Sequence, residues 1–132
     1  MHRQFPAHAR ASAWLDERLN GAERVGLPWG ALLAFLRLSA SPRVLSRPLA
    51  LRDASGVVSA WLELSSTWVP QPTERHAETL AGLLAPETKA DLVPDAHLAA
   101  LAIEHGLLLC STDRDFSRFD GLRWVDPLSL AR

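Results

Sequence analysis

The residues able to do chemistry gather in the last third of the chain. Asp95 stands in Pro94-Asp95-Ala96-His97, while Asp113 and Asp115 stand in Ser111-Thr112-Asp113-Arg114-Asp115-Phe116. Carboxylates brought together repel one another unless a hard cation neutralises them, and Mg²⁺ or Mn²⁺ prefers such oxygen ligands. An ion held this way can activate water and stabilise charge on a phosphodiester, so the chemistry to expect is metal-assisted hydrolysis. Each aspartate taken singly also fits a lesser role. Asp95 suits the positive end of a helix dipole, and Asp113 and Asp115 suit side-chain turns. Only their convergence makes a metal site.

The flanking pattern brings about that convergence. Pro94 to His105 reads as a helix, with Pro94 in its first turn and Gly106 just past its end. Leu107 to Thr112 is the strongest strand pattern in the chain. A helix of about twelve residues is roughly 18 Å long and a strand of about six spans ~20 Å. Joined by one tight turn they must run antiparallel, so the helix start returns beside the strand end. Asp95 is thereby expected close to Asp113 and Asp115.

Upstream, Pro6 to Leu19 reads as an amphipathic helix with Ala11, Trp14, Leu15, Arg18 and Leu19 at spacings of three and four, ended by Asn20-Gly21. Arg24 to Trp29 is a short apolar strand, and Gly30 to Leu38 is apolar nearly all round, which predicts a buried helix. Ser39 to Pro48 is a loop carrying Arg43 and Arg47; Leu51 to Leu64 is a helix with Val57, Val58, Trp61 and Leu62 inward. Thr67-Trp68-Val69 is an edge strand stopped by Pro70, and Thr73 to Leu84 is a helix with Thr73 as N-cap. Leu122 to Val125 is a last short strand. Strands alternating with helices predict an α/β fold with a mostly parallel sheet, whose ligands bind at the carboxyl ends of the strands.

Composition narrows the function classes. A chain of 132 residues and 14.5 kDa, 48% hydrophobic and 22% charged, predicts one globular domain over 1–132. The longest uncharged stretches, such as Val25 to Leu36, contain Gly and Pro and are too short to span a bilayer, and no signal-peptide pattern opens the chain. Cys110, the single cysteine, is expected as a small core residue in a reducing cytoplasm. One cysteine and five scattered histidines exclude a Cys/His zinc cluster with ligand spacing, and His97 and His105 read as helix residues without partners at ligand spacing. The five tryptophans are scattered, as core or interface residues are.

The net charge of −1 conceals a division. Residues 1–52 sum to +5 and residues 53–132 to −6, with six of the eight aspartates between Asp91 and Asp126. Arg37, Arg43, Arg47 and Arg52 have no acid among them, so this stretch is a candidate for holding a polyanion, with solvated faces as the bland alternative.

Together these residues resemble a PIN-domain ribonuclease toxin of the VapC type, from toxin–antitoxin modules. The resemblance runs over nearly all the chain and is most specific in Leu92-Val93-Pro94-Asp95-Ala96-His97-Leu98-Ala99-Ala100-Leu101-Ala102 and in Ser111 to Phe116. It extends to Leu27-Pro28-Trp29, Leu33 to Leu38, Pro42-Arg43-Val44 and Gly121 to Val125. The resemblance implies a PIN-like three-layer α/β/α domain and a cytoplasmic Mg²⁺-dependent (or Mn²⁺-dependent) endoribonuclease. It also implies a dimer silenced by a VapB-like antitoxin, with RNA, often tRNA, as substrate. Asp95, Asp113 and Asp115 match the family's metal-binding acids; Arg43, Arg47 and Arg114 are the candidates for nucleic-acid contact.

Two departures bear on activity. Family members begin with a central strand ending in a metal-binding Asp, for which Met1 to Pro6 contains no match. The helix position where the family often carries Glu aligns with Ala34. The sequence therefore reads as a chain lacking that first strand and impaired in cleavage. The alternative is a PIN domain that binds antitoxin or RNA without cutting. A phospho-acceptor receiver module, the remaining α/β reading, needs a lysine after a late strand, and Lys89 follows none.

Overall fold

The structure is a computed structural model that describes residue 15, residues 17–18, residue 21 and residues 23–130. The chain divides into two compact units, Met1–Val69 and Pro70–Arg132. Of the first expected helix, only Leu15, Glu17 and Arg18 are described, and all three are helical. Ala11, Trp14, Leu19 and the segment Met1 to Pro6 lie outside the described residues. No helix among the described residues is long and apolar enough to cross a membrane.

In the first unit, β1 (Val25–Gly26) pairs in parallel with β2 (Thr67–Trp68), Val25 opposite Thr67 and Gly26 opposite Trp68. The Val25 N–H donates to the Ser66 carbonyl and the Leu27 N–H to the Trp68 carbonyl, both at 2.8 Å. Pro70 has no N–H to offer a ladder, which fits the strand ending before it. Between the strands run α1 (Trp29–Ser39) and α2 (Leu51–Glu63). Ala54, Val58 and Trp61 recur at helical spacing along the buried face of α2. Leu27, Leu32, Val58 and Trp61 form this unit's core, and Phe35 packs tilted against Trp61, with ring centroids 4.7 Å and planes 57° apart. Val57 and Leu62 pack at its margin, half-buried.

The expectation of a fully buried α1 is corrected. Leu32 and Ser39 are buried, but Trp29 is 47% and Leu33 57% exposed. Trp29 and Leu33 are four apart, on the face turned from this core, so an all-round apolar sequence buries one stripe of the helix and leaves another outward.

In the second unit, α3 (His76–Leu84) is followed by a 3₁₀ turn (Ala90–Leu92) leading into α4 (Val93–His105). Gly106 closes α4 in the left-handed conformation (φ 66°, ψ 35°), and its N–H reaches back to the Ala102 and Ile103 carbonyls. A side chain would be strained there, so glycine sets the reversal into the next strand. That strand, β3 (Leu109–Cys110), pairs in parallel with β4 (Trp124–Val125). A 3₁₀ helix (Arg114–Arg118) lies between them, and a short α5 (Pro127–Leu130) follows. Ala96, Ala99 and Ala100 offer α4 a flat buried face, filled by Leu83, Phe116 and Phe119.

Several sequence expectations change here. The strand expected over Leu107 to Thr112 contracts to Leu109–Cys110, because only those residues find ladder partners on β4. Leu108 is 50% exposed, and Cys110 is exposed rather than in the core. The fourth expected helix begins at His76, with Arg75 at the N-cap. Thr73 lies outside the helix: its hydroxyl oxygen accepts the Arg75 N–H at 3.1 Å and its carbonyl accepts the His76 N–H at 3.0 Å, so it shapes the turn before α3 rather than capping it. Both strand pairings are parallel, as an α/β fold requires, and the described residues form one pair in each unit.

Candidate metal centre and a histidine relay

Asp95 occupies the first turn of α4, directly after Pro94, and is half-buried. Asp113 follows β3 and caps the 3₁₀ helix, its Oδ1 accepting the Asp115 N–H at 2.9 Å. The Asp113 N–H in turn donates to the Ser111 hydroxyl at 3.0 Å. The turn role considered for Asp113 is therefore present, and it holds the carboxylate in place. Because Gly106 reverses the chain, the start of α4 returns to the end of β3. One carboxylate oxygen from each of Asp95, Asp113 and Asp115 lies within 4.8 Å of the other two.

The electrostatics of this trio are unfavourable as it stands. Burial raises the Asp95 carboxyl above the usual aspartate range, and the negative charges of Asp113, Asp115 and Asp91 raise it further. No lysine or arginine ion pair relieves these three acids among the described residues. Three hard oxygen donors within reach of one point, with repulsion uncompensated by the protein, fit a divalent cation of the Mg²⁺ or Mn²⁺ kind.

The candidate nucleic-acid residues fall in both units. Arg43 and Arg47 are exposed in the segment between α1 and α2, and the Arg43 N–H donates to the Ser41 hydroxyl at 3.2 Å. Arg114 is exposed between Asp113 and Asp115, and its carbonyl accepts from the Ser117 hydroxyl at 2.7 Å. Among the tryptophans, Trp61 is buried, Trp68 and Trp124 are half-buried and Trp29 is exposed. The Arg24 guanidinium lies 5.7 Å above the Trp68 ring.

Sequence reasoning missed a second polar cluster, between α3 and α4. The Glu104 carboxylate, only 2% exposed, accepts the Thr73 hydroxyl at 2.7 Å and the Thr73 N–H at 2.9 Å through Oε1. Its Oε2 meets His76 Nδ1, and His76 Nε2 stands 3.0 Å from His97 Nδ1. His97 thus finds its partner on another helix, 21 residues away, and the His105 Nε2 lies 2.8 Å from the Gln71 carbonyl. Burial pushes the Glu104 carboxyl up, but the Thr73 donors and His76 outweigh it and hold the group below the ordinary range. Burial, helped by the neighbouring His76 and only partly offset by Glu104, pulls the His97 imidazole below its ordinary value. The signal was present in the sequence: His97 and Glu104 are seven apart and so share one face of α4. What the sequence did not show was that His76 faces them.

With fold and site in view, the PIN-domain family profile matches residues 6–122, spanning most of the chain and both units. Ribonuclease VapC37 of Mycobacterium tuberculosis (strain H37Rv) is 47% identical over 124 residues, covering 93% of this chain and 86% of that protein. Ribonuclease VapC33 of the same strain is 42% identical over 125 residues, covering 94% and 87%. Ribonuclease VapC43 is 35% identical over 122 residues, covering 92% and 83%. The chain belongs to the PIN-domain family, in its VapC-type branch.

Proposed function

We propose that the protein is an endoribonuclease toxin of a toxin–antitoxin module, dependent on Mg²⁺ or Mn²⁺, with residues 1–132 acting as one PIN-like domain. The observation that carries the reading is the meeting of Asp95, Asp113 and Asp115 at one point with their charge uncompensated. The names of the VapC relatives support the reaction class. When bound, the cation supplies charge neutralisation at a phosphodiester and a more acidic water. The chain's own part is to hold three carboxylates ready. The Gly106 reversal sets Asp95 against the strand end, and the Asp113 turn fixes the other two. Arg43, Arg47 and Arg114 are assigned to the RNA backbone, with tRNA as the substrate class. A VapB-like antitoxin and a second copy of the chain are the expected partners, in the cytoplasm.

The test is cleavage of a defined RNA, tRNA included, with Mg²⁺ or with EDTA. The unaltered chain is expected to cleave slowly, two of the family's acids being unmatched. Asp95→Asn and Asp113→Asn should each slow it further, by up to roughly 10²–10³-fold, the order lost when one preorganised group leaves a site. Cleavage that survives EDTA, or is indifferent to both substitutions, overturns the assignment. RNA binding without any cleavage by the unaltered chain would favour the binding-only alternative, which the Ala34 position supports. For the arginines, replacing Arg43 and Arg47 together by Ala should flatten the salt dependence of RNA binding. Two lost phosphate contacts on a single strand lower the log–log slope by about 1.4. An unchanged slope makes that stretch a solvated face.

A further inference from the structure

The geometry points to a second metal site, separate from the aspartates: His76 Nε2 and His97 Nδ1 as paired ligands for a borderline transition ion such as Zn²⁺, oriented by Glu104. Three observations carry it. First, the two nitrogens are 3.0 Å apart. Two ligands at ~2.0–2.1 Å from one tetrahedral ion stand about 3.3 Å apart, and a right-angle arrangement brings them to about 2.9 Å. The observed spacing falls between these.

Second, Glu104 fixes the tautomer. Its Oε2 accepts the hydrogen bond of the His76 Nδ1–H, a tautomer in which the ring presents its lone pair at Nε2, toward His97. A buried carboxylate behind a ligating imidazole is the outer partner that holds such rings in place and raises their basicity. Glu104 is itself held on its other oxygen by both Thr73 donors, so the partner is rigid.

Third, the rings meet edge to face, 78° apart with centroids at 4.9 Å, and neither is sealed off. The His76 side chain is 14% exposed and His97 is half-buried, so an ion can enter and water can complete its shell. On binding, the ion takes the place of the proton that lies between the two nitrogens in its absence; His97 gives up that proton from Nδ1 and takes one from solvent at Nε2, so the neutral rings keep one proton each. The ligand class differs from that of the aspartates. Imidazole nitrogen suits Zn²⁺, Ni²⁺ or Cu²⁺, whereas three carboxylates suit Mg²⁺ or Mn²⁺.

The experiment is calorimetric titration of the full chain with ZnCl₂ in a background carrying Asp95→Asn and Asp113→Asn, which removes the acidic cluster as a competitor. One equivalent of Zn²⁺ should bind, and Mg²⁺ in excess should not displace it. His97→Gln should abolish that binding, and Glu104→Gln should weaken it by about 10–100-fold. Should either variant fail to fold, imidazole ¹⁵N spectra of the folded background protein decide. Zn²⁺ must shift His76 Nε2 and His97 Nδ1 together, leaving the other nitrogen of each ring protonated. No Zn²⁺ binding, binding indifferent to His97→Gln, or shifts confined to other histidines overturns the site and leaves a plain hydrogen bond between the rings. Because two of the three aspartates are replaced in the titrated protein and only Asp115 remains, neither outcome depends on the ribonuclease reading.

Discussion

Helix α4 carries two polar clusters, and they solve opposite problems. At its first turn, Asp95 meets two more acids that the protein does not neutralise. On another face, Glu104 is buried yet has both oxygens occupied, by Thr73 and His76. The first cluster carries an electrostatic cost that no ion pair among the described residues offsets and that a bound cation would remove. The second is satisfied from within, and its charge ties α3 to α4. Charge left uncompensated calls for a partner from outside, while the charge on Glu104, fully partnered, orients the histidines beside it.

The comparison is broken most directly by activity. Asp113→Asn should cost up to the 10²–10³-fold in cleavage given above, while Glu104→Gln should leave the rate of the folded protein within about threefold; a similar loss in both would erase the distinction. Stability should split the other way. Glu104→Gln weakens a charge-assisted bond at a buried site and should lower unfolding free energy by ~1–3 kcal/mol, read from urea denaturation.

Titration sharpens the same contrast, since the two carboxylates shift in opposite directions. Asp95 is raised, so its stabilising contribution is present below the ordinary aspartate value and is lost as pH rises through the folded value. Without divalent ions, Asp95→Asn should therefore be the more stable protein at neutral pH, with the gain fading in acid. Adding Mg²⁺ should raise the melting temperature of the unaltered chain and not that of Asp95→Asn. Glu104 is lowered, so its contribution is present above the ordinary glutamate value and is lost as pH falls through the folded value. The deficit of Glu104→Gln should thus shrink toward acid. Matching pH trends for the two variants would sink the argument.

The smallest effect expected lies in the other unit. Ser39 at the end of α1 is fully buried, and its hydroxyl has no hydrogen-bond partner among the described residues. Ser39→Ala should be neutral or stabilising by up to ~1 kcal/mol in the same denaturation assay, whereas an equal loss to that of Glu104→Gln would reveal a partner for the hydroxyl.

The acidic cluster was legible in the sequence because its geometry depends on local chain statistics: Pro94 opens a helix, Gly106 closes it, and an apolar run follows. Those signals also place α2, whose Val58 and Trp61 are inward as their spacing predicts. The histidine relay was not legible. It depends on which face of α3 meets α4, a packing outcome that no spacing along one segment encodes. The same limit explains the exposed stripe of α1, where Leu33 read as buried because apolar character does not say which neighbour is present. It also explains β3, where six strand-forming residues yield two with ladder partners, since a strand exists only as far as its neighbour runs alongside.

The left-handed Gly106 has a consequence for how such a chain can vary. With the turn fixed, Asp95 reaches Asp113 only by virtue of the number of residues between it and Gly106, so α4 acts as a counted spacer. One residue inserted within it would rotate Asp95 by about 100° and shift it ~1.5 Å along the axis, away from the other carboxylates. Substitutions along the outer face of α4 leave that count untouched. Variants of this chain can therefore change composition along the outer face of α4, but not the length of the helix.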